Sequence, residues 1–160
     1  MDRVKLDEVL ARHAKWWRNE DGGERASLVG ASLDGAYLNG ASLVGASLDG
    51  ASLVGASLNG ASLNGASIVG ASLVGAIMPD GRTWEEYKLD PLAGICDEPE
   101  ARKRAIAAWG EHTWEACPMH AAHGWKGIGD APKDKRIAVA AFVALFDSHL
   151  LPVPSGEKGR

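Results

Sequence analysis

The sequence predicts a short solenoid with a helical segment on each side. Three observations lead to this fold class: a run of five-residue repeats fills residues 26–75, an amphipathic pattern precedes it, and a non-repetitive segment with four of the six Trp follows. From residue 26 the chain reads ASLVG, ASLDG, AYLNG, ASLVG, ASLDG, ASLVG, ASLNG, ASLNG, ASIVG and ASLVG, and a decayed unit, AIMPD, ends at residue 80. Self-similarity at a fixed short period is the mark of a repeat architecture.

The period of five excludes the ordinary elements. Apolar residues recur about every 3.6 positions in a helix and every second position in a half-buried strand, and collagen needs Gly at every third position. A period of five fits a chain that turns one corner per repeat, with Ala and the central Leu inside and Ser and the fourth residue outside. Gly closes each intact unit, which suits a corner because Gly adopts positive φ without steric cost.

These units resemble the pentapeptide-repeat family, whose pattern is a small residue, Asp or Asn, Leu or Phe, a polar residue and often Gly. The resemblance implies a right-handed quadrilateral β-helix with four repeats per coil, so the ten units would form an all-β solenoid of about 2.5 coils. The second position departs from the family pattern, because it is Ser in nine units and Tyr37 in one. The resemblance also implies that the central residues fill the axis of the coils, namely Leu28, Leu33, Leu38, Leu43, Leu48, Leu53, Leu58, Leu63, Ile68 and Leu73.

Residues 1–25 are predicted to form a helix and a turn, with Asp2 as the N-cap. A short solenoid exposes unpaired edges and its core at both ends, so we expect this helix to cap the first coil. Trp16 and Trp17 are expected to pack, and an aromatic platform for a ligand is the alternative. The face expected to cover the coil carries Leu6, Val9, Leu10, His13 and Trp17, at i, i+3, i+4, i+7 and i+11.

The repeat domain is predicted to span residues 26–80, and residues 81–151 are predicted to form a small helical domain. This domain would cover the other end of the solenoid, beginning with Met78 and Trp84. Its helices are expected over residues 99–109, from residue 113 to about 118, and over residues 132–149. Residues 152–160 are expected to be a disordered tail.

Composition and charge limit the function classes. The net charge of -4 neither attracts nor strongly repels nucleic acid, and direct nucleic-acid binding is not expected. No apolar run is long enough for a membrane span, and no secretory signal is visible, so we expect a cytoplasmic location without membrane contact. Two Cys in such a chain are expected to be free thiols.

The segment after the repeats carries the residues that could bind a metal or take part in catalysis. Cys96, Cys117, His120 and His123 could form a zinc set, with His112 as a spare, and the alternative is buried cysteines with surface histidines. Cys96 lacks a CxxC partner, and no catalytic motif appears, so neither an enzyme nor a resident cofactor is expected.

The function expected from these features is binding or scaffolding of a protein partner that the sequence does not name. Val occupies five of the ten outward fourth positions, so self-association as a homodimer is one alternative, and scattered exposed valines are the other. A second function in the family is mimicry of duplex DNA to modulate a type II topoisomerase. That function needs dense negative charge, whereas residues 26–75 contain two acidic side chains, Asp34 and Asp49. A zinc-binding or enzymatic C-terminal domain is the third alternative.

Overall fold

The computed structural model describes residues 1–109, 118–125 and 128–152, without the side chains of residues 120 and 121. Its regular elements are five helices and one short 3-10 helix over Ile128–Asp130. The helices, in chain order, are α1 (Arg3–Trp17), α2 (Trp84–Leu89), α3 (Pro99–Ala107), α4 (Pro118–His123) and α5 (Arg136–Asp147). None of the helices in these ranges is long and apolar enough to cross a bilayer.

The repeat segment is joined by isolated parallel β-bridges between residues twenty positions apart, such as Ser27 with Ser47 and Tyr37 with Ser57. The Leu28 N–H donates to the Ser47 carbonyl at 2.7 Å, and the Ser47 N–H donates to the Ala26 carbonyl at 3.0 Å. Twenty residues are four repeats, so the chain returns above itself once every four units. The expected all-β class is met only in part, because the described ranges contain bridges and no extended strand.

The corners explain why the bridges stay short. All ten repeat glycines have φ between +63° and +70°, a region that side-chain-bearing residues avoid. The N–H of each following Ala closes the corner, as in the 3.0 Å bond from Ala31 to the Leu28 carbonyl. A corner every five residues leaves only two or three residues between corners, which is too few for an extended strand.

The core of the repeats runs along the axis of the coils. All ten predicted central residues are buried, with 0–3 % of their surface exposed. The first-position Ala residues from Ala46 onwards are buried as well, whereas Ala31, Ala36 and Ala41 are half-buried. The first coil is therefore less completely covered than those that follow.

Helix α1 lies against this first coil. Asp2 caps it as predicted, since its side chain accepts the Lys5 N–H. Leu6 belongs to the same apolar cluster as the repeat core, and Val9 and Leu10 pack against that cluster.

The expectation that Trp16 and Trp17 both pack is met only by Trp16, whose ring stacks on His13, and it is wrong for Trp17, which is 57 % exposed. Trp17 has the helical angle of the capping face, but it is the last residue of α1. The chain then turns back, with the Glu24 N–H donating to the Arg12 carbonyl, so the side chain of the last helical residue stays outside the contact.

The opposite end of the repeats is covered by the residues that follow them. The Trp84 N–H donates to the Ala76 carbonyl at 2.8 Å, and the Met78 N–H donates to the Arg82 carbonyl at 2.7 Å. Met78, Trp84 and Tyr87 are buried in the same cluster as the repeat core. The predicted boundary after residue 80 stays a prediction, and this cluster extends across it.

Helix α5 joins this cluster to a second one. Ala141, Ala144 and Leu145 pack with the repeat core, while Val139, Phe142 and Phe146 face a second cluster. The second cluster includes Leu92, Ile95, Cys96, Trp109 and Met119.

Four helix boundaries differ from prediction. Helix α3 ends at Ala107. Helix α5 begins at Arg136, because residues before it form a turn in which the Lys135 N–H donates to the Pro132 carbonyl. It ends at Asp147, and His149 has φ of +58°, which an α-helix cannot accommodate. The end expected near Pro118 is wrong, because α4 covers Pro118–His123 and Pro is well tolerated in the first turn of a helix. The start expected at Thr113 lies outside the described residues, as do all but the first residue of the expected tail.

Helix α2 was not predicted, although it carries a readable signal. Its N-cap Thr83 accepts the Glu86 N–H, and the Glu86 carboxylate accepts the Thr83 N–H at 2.8 Å. This reciprocal pair is a capping box, which a Thr-x-x-Glu spacing announces in a sequence.

Candidate functional site

The outward surface of the repeats carries fourth-position side chains in columns, because every fourth repeat stacks on the same side. One column holds Val29, Asp49 and Val69, and the neighbouring one holds Asp34, Val54 and Val74. The other two columns hold Asn39 with Asn59, and Val44 with Asn64.

Four valines in the first two columns remain in contact with solvent. Val29 is 60 % exposed, Val54 41 %, Val69 54 % and Val74 59 %. We call the surface made by these two columns the valine face. Val44, in another column, is half-buried.

The second-position hydroxyls join neighbouring coils by side-chain hydrogen bonds. Ser67 Oγ donates to Asp49 Oδ1 at 2.5 Å, and Ser57 Oγ donates to Asn39 Oδ1 at 2.5 Å. Ser52 Oγ donates to Asp34 in the same way. In each pair the acceptor lies eighteen residues earlier in the chain, so these polar side chains stabilise the stack.

Asp49 is the most fully bonded of these acceptors. Its Oδ1 also accepts the Val69 N–H at 3.0 Å. The hydrogen bond from Ser67, followed by that from the Val69 backbone, holds the pKa of the Asp49 carboxyl below its ordinary value. Asp49 therefore stays ionised between two exposed valines.

The Cys and His residues of the third segment are brought together in part. Cys96 Sγ lies 3.3 Å from His123 Nε2, and the His123 ring stacks on Trp125 with centroids 4.1 Å apart. Cys117 and His112 lie outside the described residues, and so does the side chain of His120. In the parts of the chain that the structure describes, no three metal-binding side chains gather at one point.

The Cys96–His123 pair is in its neutral form. Burial raises the pKa of the Cys96 thiol to about 11, and burial lowers the pKa of His123. The thiol can then donate to a neutral imidazole, an arrangement that disfavours the thiolate needed for nucleophilic attack.

His13 has a role that sequence reasoning missed. The sequence predicts His13 on the capping face of α1 among apolar residues, and in the structure it is completely buried there. Its Nδ1 accepts the Ala26 N–H at 3.1 Å, so it holds the first residue of the first repeat. The sequence signal for this role is a His among Leu and Val on the predicted buried face of α1. It does not identify the hydrogen-bond partner of His13, because that partner depends on how α1 packs on the first coil.

Together these features define a class, a repeat protein whose chain repeats its path every twenty residues and which is capped at both ends. A family model described as pentapeptide repeats matches residues 24–53 and 41–78, with eight copies of the repeat. The repeat segment of this chain belongs to the pentapeptide-repeat family, as the sequence predicted. Among curated proteins, no relative matches the chain.

Proposed function

We propose that the protein is a non-catalytic binding or scaffolding module and that the valine face contacts its protein partner. The observation that carries this proposal is the exposure of four valines, each between 41 % and 60 %, in two adjacent columns. Exposed apolar side chains grouped in this way, here with Asp34 and Asp49 among them, are typical of interaction sites.

The backbone supports the proposal because it holds these side chains at fixed spacing. The Gly30 N–H donates to the Asp49 carbonyl and the Gly50 N–H donates to the Val69 carbonyl, both at 2.8 Å. The valines of one column are therefore joined by backbone bonds directly beneath them. A preorganised surface loses little conformational entropy when it binds. The finer description of the stack, a right-handed quadrilateral β-helix of about 2.5 coils, is part of this proposal and rests on the family match.

The test is a comparison of partner capture by the wild type and by a variant with all four valines replaced by Thr. Thr has almost the shape and strand propensity of Val, so the fold should persist while the surface becomes polar. A partner captured from the native host should bind the purified wild type and lose at least tenfold in affinity for the variant. Equal affinity for the folded variant would contradict the proposal.

A second copy of the chain is one partner to examine. Isologous pairing of the valine face would give a homodimer. Light scattering at high concentration should then show twice the chain mass for the wild type and the single mass for the Thr variant. A monomeric wild type at high concentration would remove the homodimer and leave the protein partner.

The charges do not favour topoisomerase-directed DNA mimicry. Asp34 and Asp49 are the acidic residues of residues 26–75, and both accept Ser hydroxyls. DNA mimicry requires a dense array of negative charges, and two carboxylates in fifty residues do not form one. A supercoiling assay with purified gyrase tests the alternative, and inhibition or protection by this protein would support it.

Zinc binding is a second candidate function, favoured by the 3.3 Å separation of Cys96 Sγ and His123 Nε2. These two atoms are close enough to share one ion, given ligand distances of about 2.3 Å for sulfur and 2.0–2.1 Å for nitrogen. Cys117 and His120 would supply the remaining ligands. Metal analysis of protein purified without a His tag decides it, and metal far below one ion per chain would exclude the site.

A further inference from the structure

The buried imidazole of His13 lies between α1 and the first repeat. The residue has no exposed surface, and its Nδ1 accepts the Ala26 N–H at 3.1 Å. The Ala26 carbonyl in turn accepts the Ser47 N–H of the next coil. His13 thus connects the capping helix to the residue at which the stack begins.

This hydrogen bond requires a neutral imidazole. A ring nitrogen can accept only when it carries no proton, so the single proton of neutral His13 sits on Nε2. The Val44 carbonyl faces the ring, yet within the described residues Nε2 makes no hydrogen bond of normal geometry. A second proton would replace the Ala26 bond by two N–H groups directed at one another.

The surroundings of His13 also oppose a positive charge. The charged group that faces it from the repeat side is the Arg25 guanidinium, which is held by a bond to the Gly45 carbonyl. At the same edge, Arg12 of α1 is already paired with Glu24 at 2.8 Å. Trp16 stacks on the imidazole with centroids 5.3 Å apart and separates it from solvent. Burial, and to a smaller degree Arg25, lower the pKa of His13, while the Val44 carbonyl opposes them.

We infer that His13 is an acid-sensitive latch, so that its protonation releases α1 from the first coil. The release uncovers Leu6, Val9 and Leu10, which pack on the repeat core. The rest of the stack keeps its backbone bonds, since none of them involves His13 directly. The capping helix therefore responds to acid before the repeat stack does.

The linkage between protonation of His13 and docking of α1 gives the direction of the pH effect and the pH range over which it acts. The folded pKa lies below the ordinary His value of 6.5, so the released state binds the proton more tightly than the docked state. Docking is at full strength above about pH 6.5 and weakens as pH falls from there to the folded pKa. Within that window, the ratio of docked to released α1 changes by up to about tenfold per pH unit.

Hydrogen exchange of the full-length chain tests the latch. Exchange rates over α1 and residues 24–26 are measured from pH 7.5 to 4.5 and corrected for intrinsic pH dependence. We expect protection there to fall by up to about tenfold per pH unit below pH 6.5, while protection at residues 51–60 stays constant. Protection of α1 that does not vary with pH would overturn the inference.

Two variants distinguish the effect of His13 protonation from the effects of other titrating groups. His13→Gln keeps an oxygen that can accept the Ala26 N–H but does not titrate, so α1 protection should become independent of pH. His123→Gln removes a second imidazole whose pKa is lowered by burial and should leave the response unchanged. An unchanged response in His13→Gln, or its loss in His123→Gln, would overturn the inference.

A second measurement keeps the inference testable if His13→Gln does not fold. In the wild type, an NMR titration follows the His13 ring protons over the same pH range. We expect their midpoint to coincide with the midpoint of α1 release. Midpoints that differ by more than one pH unit would separate the two events and contradict the latch.

Discussion

Ser67 donates a hydrogen bond from Oγ to Asp49 Oδ1, 2.5 Å away and eighteen residues earlier in the chain. Ser57 bears the same relation to Asn39. The second-position side chain of one repeat thus donates a hydrogen bond to the fourth-position side chain of a repeat in the preceding coil. Where the fourth position is Val, as at Val44, the Ser eighteen residues later has no such acceptor in the column.

The Ser hydrogen bonds should contribute to stability only where an acceptor exists. Ser57→Ala removes the bond to Asn39 and should lower the free energy of unfolding by about 0.5–1.5 kcal/mol. Ser62→Ala is the matched control, because Ser62 lies eighteen residues after Val44, and it should cost less. Urea unfolding of both variants measures the difference, and equal losses would contradict the role of the hydrogen bond.

Asp49 should make stability depend on pH at the acidic end. Its folded pKa lies below the ordinary value of 3.8, chiefly because Ser67 donates to it. Its contribution is therefore complete above about pH 3.8 and is lost as pH falls through the folded pKa. Denaturant midpoints measured from pH 5 to 2 should show this loss in the wild type and a smaller one in Asp49→Asn. A steeper loss in the variant would reverse the assignment.

The axis of the coils should be the most sensitive part of the repeats. Leu48 has no exposed surface, so Leu48→Ala should lower the free energy of unfolding by about 2–5 kcal/mol through lost contacts and a cavity. Leu48→Met keeps most of the volume and should cost less than about 1.5 kcal/mol. Thermal unfolding followed by circular dichroism compares the two variants, and a tolerated Ala would show that the site collapses around it.

Gly23 should be needed for the return of the chain along α1. A Cβ at Gly23 would lie 2.3 Å from the Trp16 backbone nitrogen, so Gly23→Ala must move the turn or the helix. We expect a loss of about 1–3 kcal/mol, as for other overpacked sites, with faster hydrogen exchange in α1. Gly129→Ala is the control, since a Cβ there meets no atom within 4 Å. Similar effects of the two substitutions would argue against close packing at Gly23.

The repeats could be predicted well because their order is local. The period, together with the resemblance to pentapeptide repeats, placed the ten central residues, and all of them are buried. The same period predicted the corners, and the glycines there have positive φ. The Ser hydrogen bonds were not predicted, because the number of repeats per coil does not show which second-position hydroxyl reaches which fourth-position side chain of the preceding coil.

The flanks could be predicted less well, since their contacts depend on docking. Trp17 has the helical angle of the capping face, but the sequence does not show where the contact with the coil ends. The approach of Cys96 to His123 joins residues 27 positions apart, and no local pattern announces it. By contrast, α2 could have been found, because Thr83 and Glu86 form a capping box.

The twenty-residue register has a consequence for the length of the protein. The helical caps contact the first and last coils, and each meets a particular side of the stack. Adding or removing four repeats would return the chain to the same side and leave both docking surfaces in register. Adding or removing a single repeat would turn one cap by a quarter circle against the other. The repeat segment therefore sets a dihedral relation between its two ends, and viable lengths of it should differ in whole circuits.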